Sequence, residues 1–266
     1  MGPAPAVLTA QEAKEMAQAL FDARANLTPI PAFTEARPEL GLMDGYAIQE
    51  HLVALLLENG EEISGYKLGL TSKAMQELVG VDRPDFGPVF ASTVFNDGAI
   101  IDVTTFIAPR MEAEIGIILG EDLSGPNCTP ADARRAAAGA VASLEIVDSR
   151  IKDWKIKLAD TVGDLASNGA IALSSNVVPL DFDLRLVGMV FSKNGQLVAT
   201  GAGAAALGDP LAAVAWLANT LAPMGITLKA GHVIMTGALH AMVTVEPGDT
   251  FRADFDRLGP VTISMV

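Results

Sequence analysis

Apolar residues recur at helical spacing through most of the first sixty positions, and further along the pattern shortens mostly to runs and alternations that predict strands. Thr9, followed three residues later by Glu12, fits a capping box ahead of the stripe Ala13, Met16, Ala17, Leu20 and Phe21. A loop with Pro29, Pro31 and Pro38 separates this helix from a second one, which starts near Met43-Asp44 and ends at Asn59-Gly60. His51 falls on or beside the apolar stripe of the second helix, where a satisfied or surface histidine is the simpler reading. A short strand is predicted over 63–71, a helix over 72–79, and a loop with turn chemistry over 81–87. From Thr93 onward strands and turns dominate: a hairpin-like turn at Asn96-Asp97-Gly98, a strand over 99–103, and a longer strand beginning at Arg110. An alanine-rich helix is predicted from Thr129 through Ala142, leading into a β-type run around Leu144-Glu145-Ile146. The last third reads as strands over 184–192 and 196–201 around Lys193-Asn194-Gly195, a helix over 210–221, strands over 233–236 and 242–245, and a final pair after Pro247-Gly248-Asp249. This divides the chain into an N-terminal helical region, 1–62, and a mixed α+β region, 63–266.

Composition narrows the function classes. Of 266 residues half are apolar and 19% are charged, which is enough to bury a substantial core. The formal charge is 18 − 32 = −14, which argues against nucleic acid or an anionic membrane as partner. A small anionic substrate would then need a local positive centre, either a bound metal or a few placed Lys and Arg. No apolar run approaches the roughly 20 residues of a membrane span, and the opening Met1-Gly2-Pro3-Ala4-Pro5 lacks the features of a signal peptide, so a cytoplasmic location is expected. Cys128 is the single cysteine, which excludes an internal disulfide and a thiolate metal cluster.

The candidate chemistry lies in the strands. Glu112 and Glu114 are spaced i and i+2 in an otherwise apolar strand, so they share one face. Two like charges about 4 Å apart repel by about 1 to 4 kcal/mol, and something must offset them. Glu145 is a third carboxylate in an apolar run, and such a group is seldom buried without a partner. A divalent cation with oxygen ligands resolves the conflict, and Mg²⁺ or Mn²⁺ suits an all-carboxylate set. Zinc fits less well, since no Cys or His stands at useful spacing. The alternatives are exposed strand ends, or carboxylates paired with Arg110 and Arg150. Lys67, among apolar and glycine neighbours, either snorkels to the surface or is held in a site where burial lowers its pKa. Asp85 is either a turn residue or a functional one, while Lys152, Lys155 and Lys157 read as a solvated face. Asp164–Gly169 supplies small and polar groups where a backbone could approach a ligand.

Five ordered stretches carry a resemblance: 65–71 (Gly-Tyr-Lys-Leu-Gly-Leu-Thr), 80–87 (Gly-Val-Asp-Arg-Pro-Asp-Phe-Gly), Met111-Glu112-Ala113-Glu114, 144–150 (Leu-Glu-Ile-Val-Asp-Ser-Arg) and Ile234-Met235-Thr236-Gly237-Ala238-Leu239. From about residue 40 onward the chain resembles the 2-oxopent-4-enoate hydratase and 4-oxalocrotonate decarboxylase family of the fumarylacetoacetate hydrolase superfamily. The resemblance implies a mixed β-roll or barrel-like catalytic core over 63–266 with the N-terminal helices packed on it, and Mg²⁺ or Mn²⁺ held by Glu112, Glu114 and Glu145. Ser149–Ile156 looks more like the hydratases than the decarboxylases. Where the family commonly shows Asp-Asn-Ala-Ser, this chain has Asp164-Leu165-Ala166-Ser167, so a side-chain role at 165 is in question and the preferred substrate tail could differ.

The implied reaction is addition of water to 2-hydroxypenta-2,4-dienoate, giving 4-hydroxy-2-oxopentanoate in aromatic meta-cleavage catabolism. Lys67 near the substrate 2-oxygen and Asp85 as proton shuttle are the candidate acid/base groups, with Ser167 hydrogen-bonding the carboxylate or a water. Decarboxylation of 2-oxo-3-hexenedioate uses the same metal logic and is the nearest rival. C–C bond hydrolysis is a further one, although His51, His232 and His240 show no hydrolase-like motif. A non-catalytic assembly partner is the rival from another class. A homo-oligomer, associated with a neighbouring pathway enzyme, is the expected assembly.

Overall fold

The computed structural model describes residues 6–73, 76, 77 and 81–266. The helix predicted over 72–79 and the start of the 80–87 motif lie partly outside the described residues. Three helices open the chain: α1 (Ala10–Asn26), α2 (Phe33–Ala36) and α3 (Leu42–Glu58). The capping box at Thr9 and Glu12 forms as the sequence suggests and fixes where α1 starts. The buried faces of α1 and α3, with Ala13, Ala17, Leu20, Ile48, Leu52 and Leu56, make a cluster that also takes in Phe90, Ile151 and Leu165 from the strand-rich part. Full burial of each large aliphatic group there contributes about 1.5–3 kcal/mol. His51 stays half-buried on α3.

The strand-rich part follows as β1 (Ile63–Gly69), β2 (Asp85–Phe90), β3 (Val94–Asn96), β4 (Ala99–Ile101), β5 (Arg110–Leu119), helix α4 (Pro130–Ala136), β6 (Ala137–Val147), helix α5 (Leu158–Gly163), β7 (Asn168–Leu173), β8 (Gly188–Lys193), β9 (Gln196–Ala202), helix α6 (Pro210–Leu221), β10 (Val233–Met235), β11 (Val243–Thr244), β12 (Thr250–Phe255) and β13 (Gly259–Met265). One sheet runs β2-β1-β10-β5-β6-β7-β3, with β11 also on β5; the other runs β4-β13-β12-β8-β9. Both mix parallel and antiparallel pairs. Each strand order has two free ends, so neither sheet closes into a barrel among the described residues.

Three expectations are corrected. The turn at Asn96-Asp97-Gly98 is real, with Gly98 at φ +80°, but it makes no hairpin: β3 pairs with β7 in one sheet and β4 with β13 in the other, so the turn carries the chain between sheets. The alanine-rich helix stops at Ala136, and 137–142 are strand, because these residues complete the ladder along β5 and propensity yields to that pairing. Their small side chains suit the crowding: a Cβ on Gly139 would lie 2.6 Å from the Val178 carbonyl oxygen. The strand expected from 184 begins only at Gly188, after a 3-10 turn over Leu184–Leu186.

Alternation along β5 then sets the layout of the site. Met111, Ala113, Ile115 and Ile117 point into the main core with Leu144, Ile146, Phe191 and Phe251. Glu112 and Glu114 therefore point to the opposite face.

Candidate active site

Register places the third carboxylate. In the antiparallel β5–β6 ladder Glu112 stands directly opposite Glu145, and Glu114 opposite Ser143, whose hydroxyl donates to the Glu114 carbonyl (2.8 Å). One carboxylate oxygen from each of Glu112, Glu114 and Glu145 lies within 4.8 Å of the others. Glu114 and Glu145 are wholly buried, and Glu114 Oε1 and both Glu145 oxygens find no hydrogen-bond donor. Glu114 Oε2 accepts from the Gly237 N–H (2.9 Å). Burial first, and then the Glu145 charge, push the Glu112 carboxyl up to about 8 and Glu114 well above its ordinary range; burial also raises Glu145. Three converging carboxylates, two of them with orphaned oxygens, fit a hard divalent cation, which would complete their coordination and offset their repulsion. Arg150 pairs elsewhere and Arg110 stacks over the Trp154 ring at 4.4 Å, so the arginine-paired alternative for the triad falls away.

Lys67 does not snorkel. It is 4% exposed on β1, donates to the Ala166 carbonyl (3.0 Å) and forms an ion pair with Glu145 at 3.4 Å. Burial acts against its charge, but Glu145, Asp85, Glu112 and Glu114 outweigh it, so the ammonium is held above its ordinary value rather than lowered. Asp85 is no free turn residue either: it opens β2 opposite Gly69 and is 2% exposed, with Oδ1 unpartnered. Burial raises its carboxyl against the pull of Lys67. A Cβ on Gly69 would lie 2.2 Å from Asp85 Oδ1 and 3.5 Å from Lys67 Nζ, so the two groups meet over a position that only glycine leaves open.

The 164–168 segment is built by strain and a buried ion pair. Leu165, Ala166 and Ser167 have φ of 57°, 52° and 56°, a left-handed run that non-glycine residues rarely adopt. It turns the Ala166 carbonyl toward Lys67 and sets Ser167 Oγ 3.1 Å from Thr161 Oγ1. Arg150 holds the turn from below, with Nε on Asp164, Nη2 on the Asp164 carbonyl (2.7 Å) and Nη1 on the Asn168 carbonyl (2.9 Å). Leu165 is buried in the helical cluster, so its apolar character matches the packing of α1 and α3. Gly87 makes room for this bend, since a Cβ there would sit 2.1 Å from the Leu165 carbonyl oxygen.

Lys67, Asp85, Glu112 and Ser167 all line one pocket of about 550 Å³, with Glu114 and Glu145 beneath its floor. Its outer walls, including Leu70, Ile156, Leu239 and Met242, are largely apolar. Lys152, Lys155 and Lys157 are exposed, as expected, though Lys157 reaches the rim. Sequence reasoning missed the roles of Arg110, Thr161, Gly237 and His240 around this pocket. Gly237 stood inside a quoted motif, whereas nothing in the pattern marked His240.

Comparison with known proteins agrees with this architecture. Residues 65–266 match the model of the fumarylacetoacetate (FAA) hydrolase C-terminal region. The chain is 43% identical over 255 residues to the 2-keto-4-pentenoate hydratase of Paraburkholderia xenovorans, covering 96% of this chain and 95% of that one. It is 40% identical to the 2-hydroxyhexa-2,4-dienoate hydratase of Comamonas testosteroni over 249 residues, 92% of this chain and 94% of that one. Among solved structures, the 4-oxalocrotonate decarboxylase of Pseudomonas putida G7, complexed with magnesium and adipate, superposes with a TM-score of 0.94 at 35% identity, covering 98% of this chain and 100% of that one. With its fold, its ordered motifs and its relatives in agreement, the chain belongs to the 2-oxopent-4-enoate hydratase and 4-oxalocrotonate decarboxylase family of the fumarylacetoacetate hydrolase superfamily.

Proposed function

We propose that this protein is a divalent-metal-dependent hydratase that adds water to 2-hydroxypenta-2,4-dienoate, or a close homologue, to give 4-hydroxy-2-oxopentanoate in aromatic meta-cleavage catabolism. The observation that carries this reading is the convergence of three carboxylates, the half-buried Glu112 and the buried Glu114 and Glu145 with oxygens lacking donors, at the pocket that holds Lys67 and Asp85. Glu112, Glu114 and Glu145 would hold Mg²⁺ or Mn²⁺, which when bound polarises the substrate's 2-oxygen and carboxylate as a Lewis acid. The charged Lys67 ammonium stabilises negative charge at the 2-oxygen as the hydroxyl proton leaves and C5 gains one. Asp85, with its raised carboxyl and open Oδ1, takes a proton from the water whose oxygen bonds to C4, and returns one to C3. Ser167 and Thr161 orient the carboxylate end or the water.

The apolar outer pocket suits a short hydrocarbon tail, and the closer sequence match to hydratases than to the decarboxylase supports water addition. Decarboxylation of 2-oxo-3-hexenedioate is the second reading, favoured by the near-complete structural match to a decarboxylase. Chelator-treated protein is incubated with each substrate, followed by ultraviolet loss and CO₂ release, and Mg²⁺ or Mn²⁺ is then added back. Metal-restored loss of the dienoate without CO₂ is the expected result, and CO₂ release from the dioate alone overturns it.

The proposal extends to a cytoplasmic homo-oligomer that works beside a neighbouring pathway enzyme. Exposed Ile100, Val190 and Leu197 on the second sheet support self-association, which light scattering tests. A division at 62/63 into helical and catalytic regions is supported by the family match starting at residue 65.

A further inference from the structure

On its side away from β6, β5 pairs with β10 at residues 116–118 and with β11 at 110–111. Between them, over 112–115, that side of the strand has no strand partner among the described residues, and this is the half that carries Glu112 and Glu114. The chain from Thr236 to His240 covers the gap without becoming a strand. Gly237 N–H donates to Glu114 Oε2 (2.9 Å) and Leu239 N–H donates to the Ala113 carbonyl (3.0 Å). The Ala113 N–H, which belongs to the peptide joining Glu112 to Ala113, donates to the imidazole Nε2 of His240 (3.0 Å). A side chain here replaces the carbonyl that a continuous β-ladder would supply.

The rest of the ring is fixed to suit this task. Because Nε2 accepts, Nδ1 carries the proton and donates to the Ala241 carbonyl at 2.7 Å. The ring stacks on Phe191, with centroids 4.3 Å apart and planes inclined by 25°. Burial lowers its pKa and so keeps the Nε2 lone pair free. We propose that His240 is a positioning residue of the metal centre, whose neutral imidazole anchors the Glu112–Ala113 peptide and so keeps Glu112 and Glu114 aimed at Glu145. An unmet peptide N–H between two ligands would let that peptide plane rotate and spread the carboxylates. This inference rests on reading the three glutamates as metal ligands.

The test uses three variants and Mn²⁺ calorimetry. His240→Phe keeps an aromatic ring against Phe191 but lacks the acceptor, while His240→Gln places an amide oxygen near the reach of Nε2. His240→Phe should bind Mn²⁺ about tenfold more weakly, the lower end of what supporting groups of metal ligands contribute, and His240→Gln should recover most of that loss. Glu114→Gln serves as the control for the metal reading itself. If it binds Mn²⁺ like the unmutated protein, the metal reading fails; if it loses Mn²⁺ while His240→Phe binds normally, the metal reading stands and the His240 inference fails. Two further readouts do not depend on metal. In the metal-free protein the Ala113 amide should exchange with solvent faster in His240→Phe than in His240→Gln, and equal rates overturn the anchor. In the unmutated protein, nitrogen NMR of His240 should show the Nδ1–H tautomer, and a proton on Nε2 overturns the proposal even if the Phe variant does not fold.

Discussion

At Lys67 two opposing forces meet, since burial weakens an ammonium and four neighbouring carboxylates strengthen it, and the carboxylates prevail. The residue therefore serves as a fixed positive charge beside the pocket rather than as a neutral base. Lys67→Ala should lower kcat by roughly 10²- to 10³-fold, the span usual on removing one electrostatic stabiliser, while Mg²⁺ still binds. Steady-state kinetics with calorimetry on the same preparation checks this, and an unchanged kcat removes Lys67 from the chemistry. The i, i+2 spacing made the Glu112–Glu114 pair legible from sequence, because alternation along a strand is a local rule. Whether Lys67 was buried was not legible: its flanking Tyr66 and Leu68 fit a surface strand equally well, and only the packing of residues 165–167 over it decides. His240 was invisible for a stronger reason. Its partner, Ala113, lies 127 positions away, and the need for it arises from a gap in a strand ladder.

Elements whose ends are set by local chemistry were the easiest to read. The first helix begins where Thr9 and Glu12 cap each other, and hydrogen bonds from the Thr9 backbone and side chain, with help from Arg37, hold the Glu12 carboxyl down to about 2 from an ordinary 4.5. A depressed folded-state pKa means stabilisation that is complete above pH 4.5 and is lost as pH falls toward 2. The melting temperature of Glu12→Gln should accordingly lie below that of the unmutated protein at neutral pH and converge with it near pH 2. The 130–147 stretch shows the opposite limit, since its alanines satisfy helix propensity throughout and the chain turns to strand at Ala137 only because β5 needs a partner. The left-handed turn at 165–167 was equally hidden, being held by Arg150 and Asp164 from separate elements. Arg150→Met leaves the buried Asp164 uncompensated and should cost about 3–5 kcal/mol in urea denaturation. A loss below about 1 kcal/mol would show that the pair does not support the turn.

For the molecule as a whole, ordered motifs made the α+β class and the family legible, while the joining of the sheets was not. The turn at 96–98 looks like any hairpin turn, and the sheet to which each flanking strand belongs depends on β7 and β13, far along the chain. Metal should act on global stability because the triad's mutual repulsion exists only without it. At a free concentration about 100 times its Kd, Mg²⁺ should add about 2.7 kcal/mol, or roughly 5–10 °C in Tm for a chain of this size. Scanning calorimetry with and without chelator checks this, and identical Tm values overturn the triad as a cation site. The division of labour between strands and loops has one more consequence. The three glutamates project from two central, hydrogen-bonded strands, whereas much of the pocket wall comes from the segments after β1, between β6 and α5, and between β10 and β11. Outside the anchoring positions Gly237 and His240, substitutions in those segments can reshape what the pocket accepts without disturbing the electrophilic centre, so one inherited core can serve several neighbouring steps of catabolism by exchange of its rim.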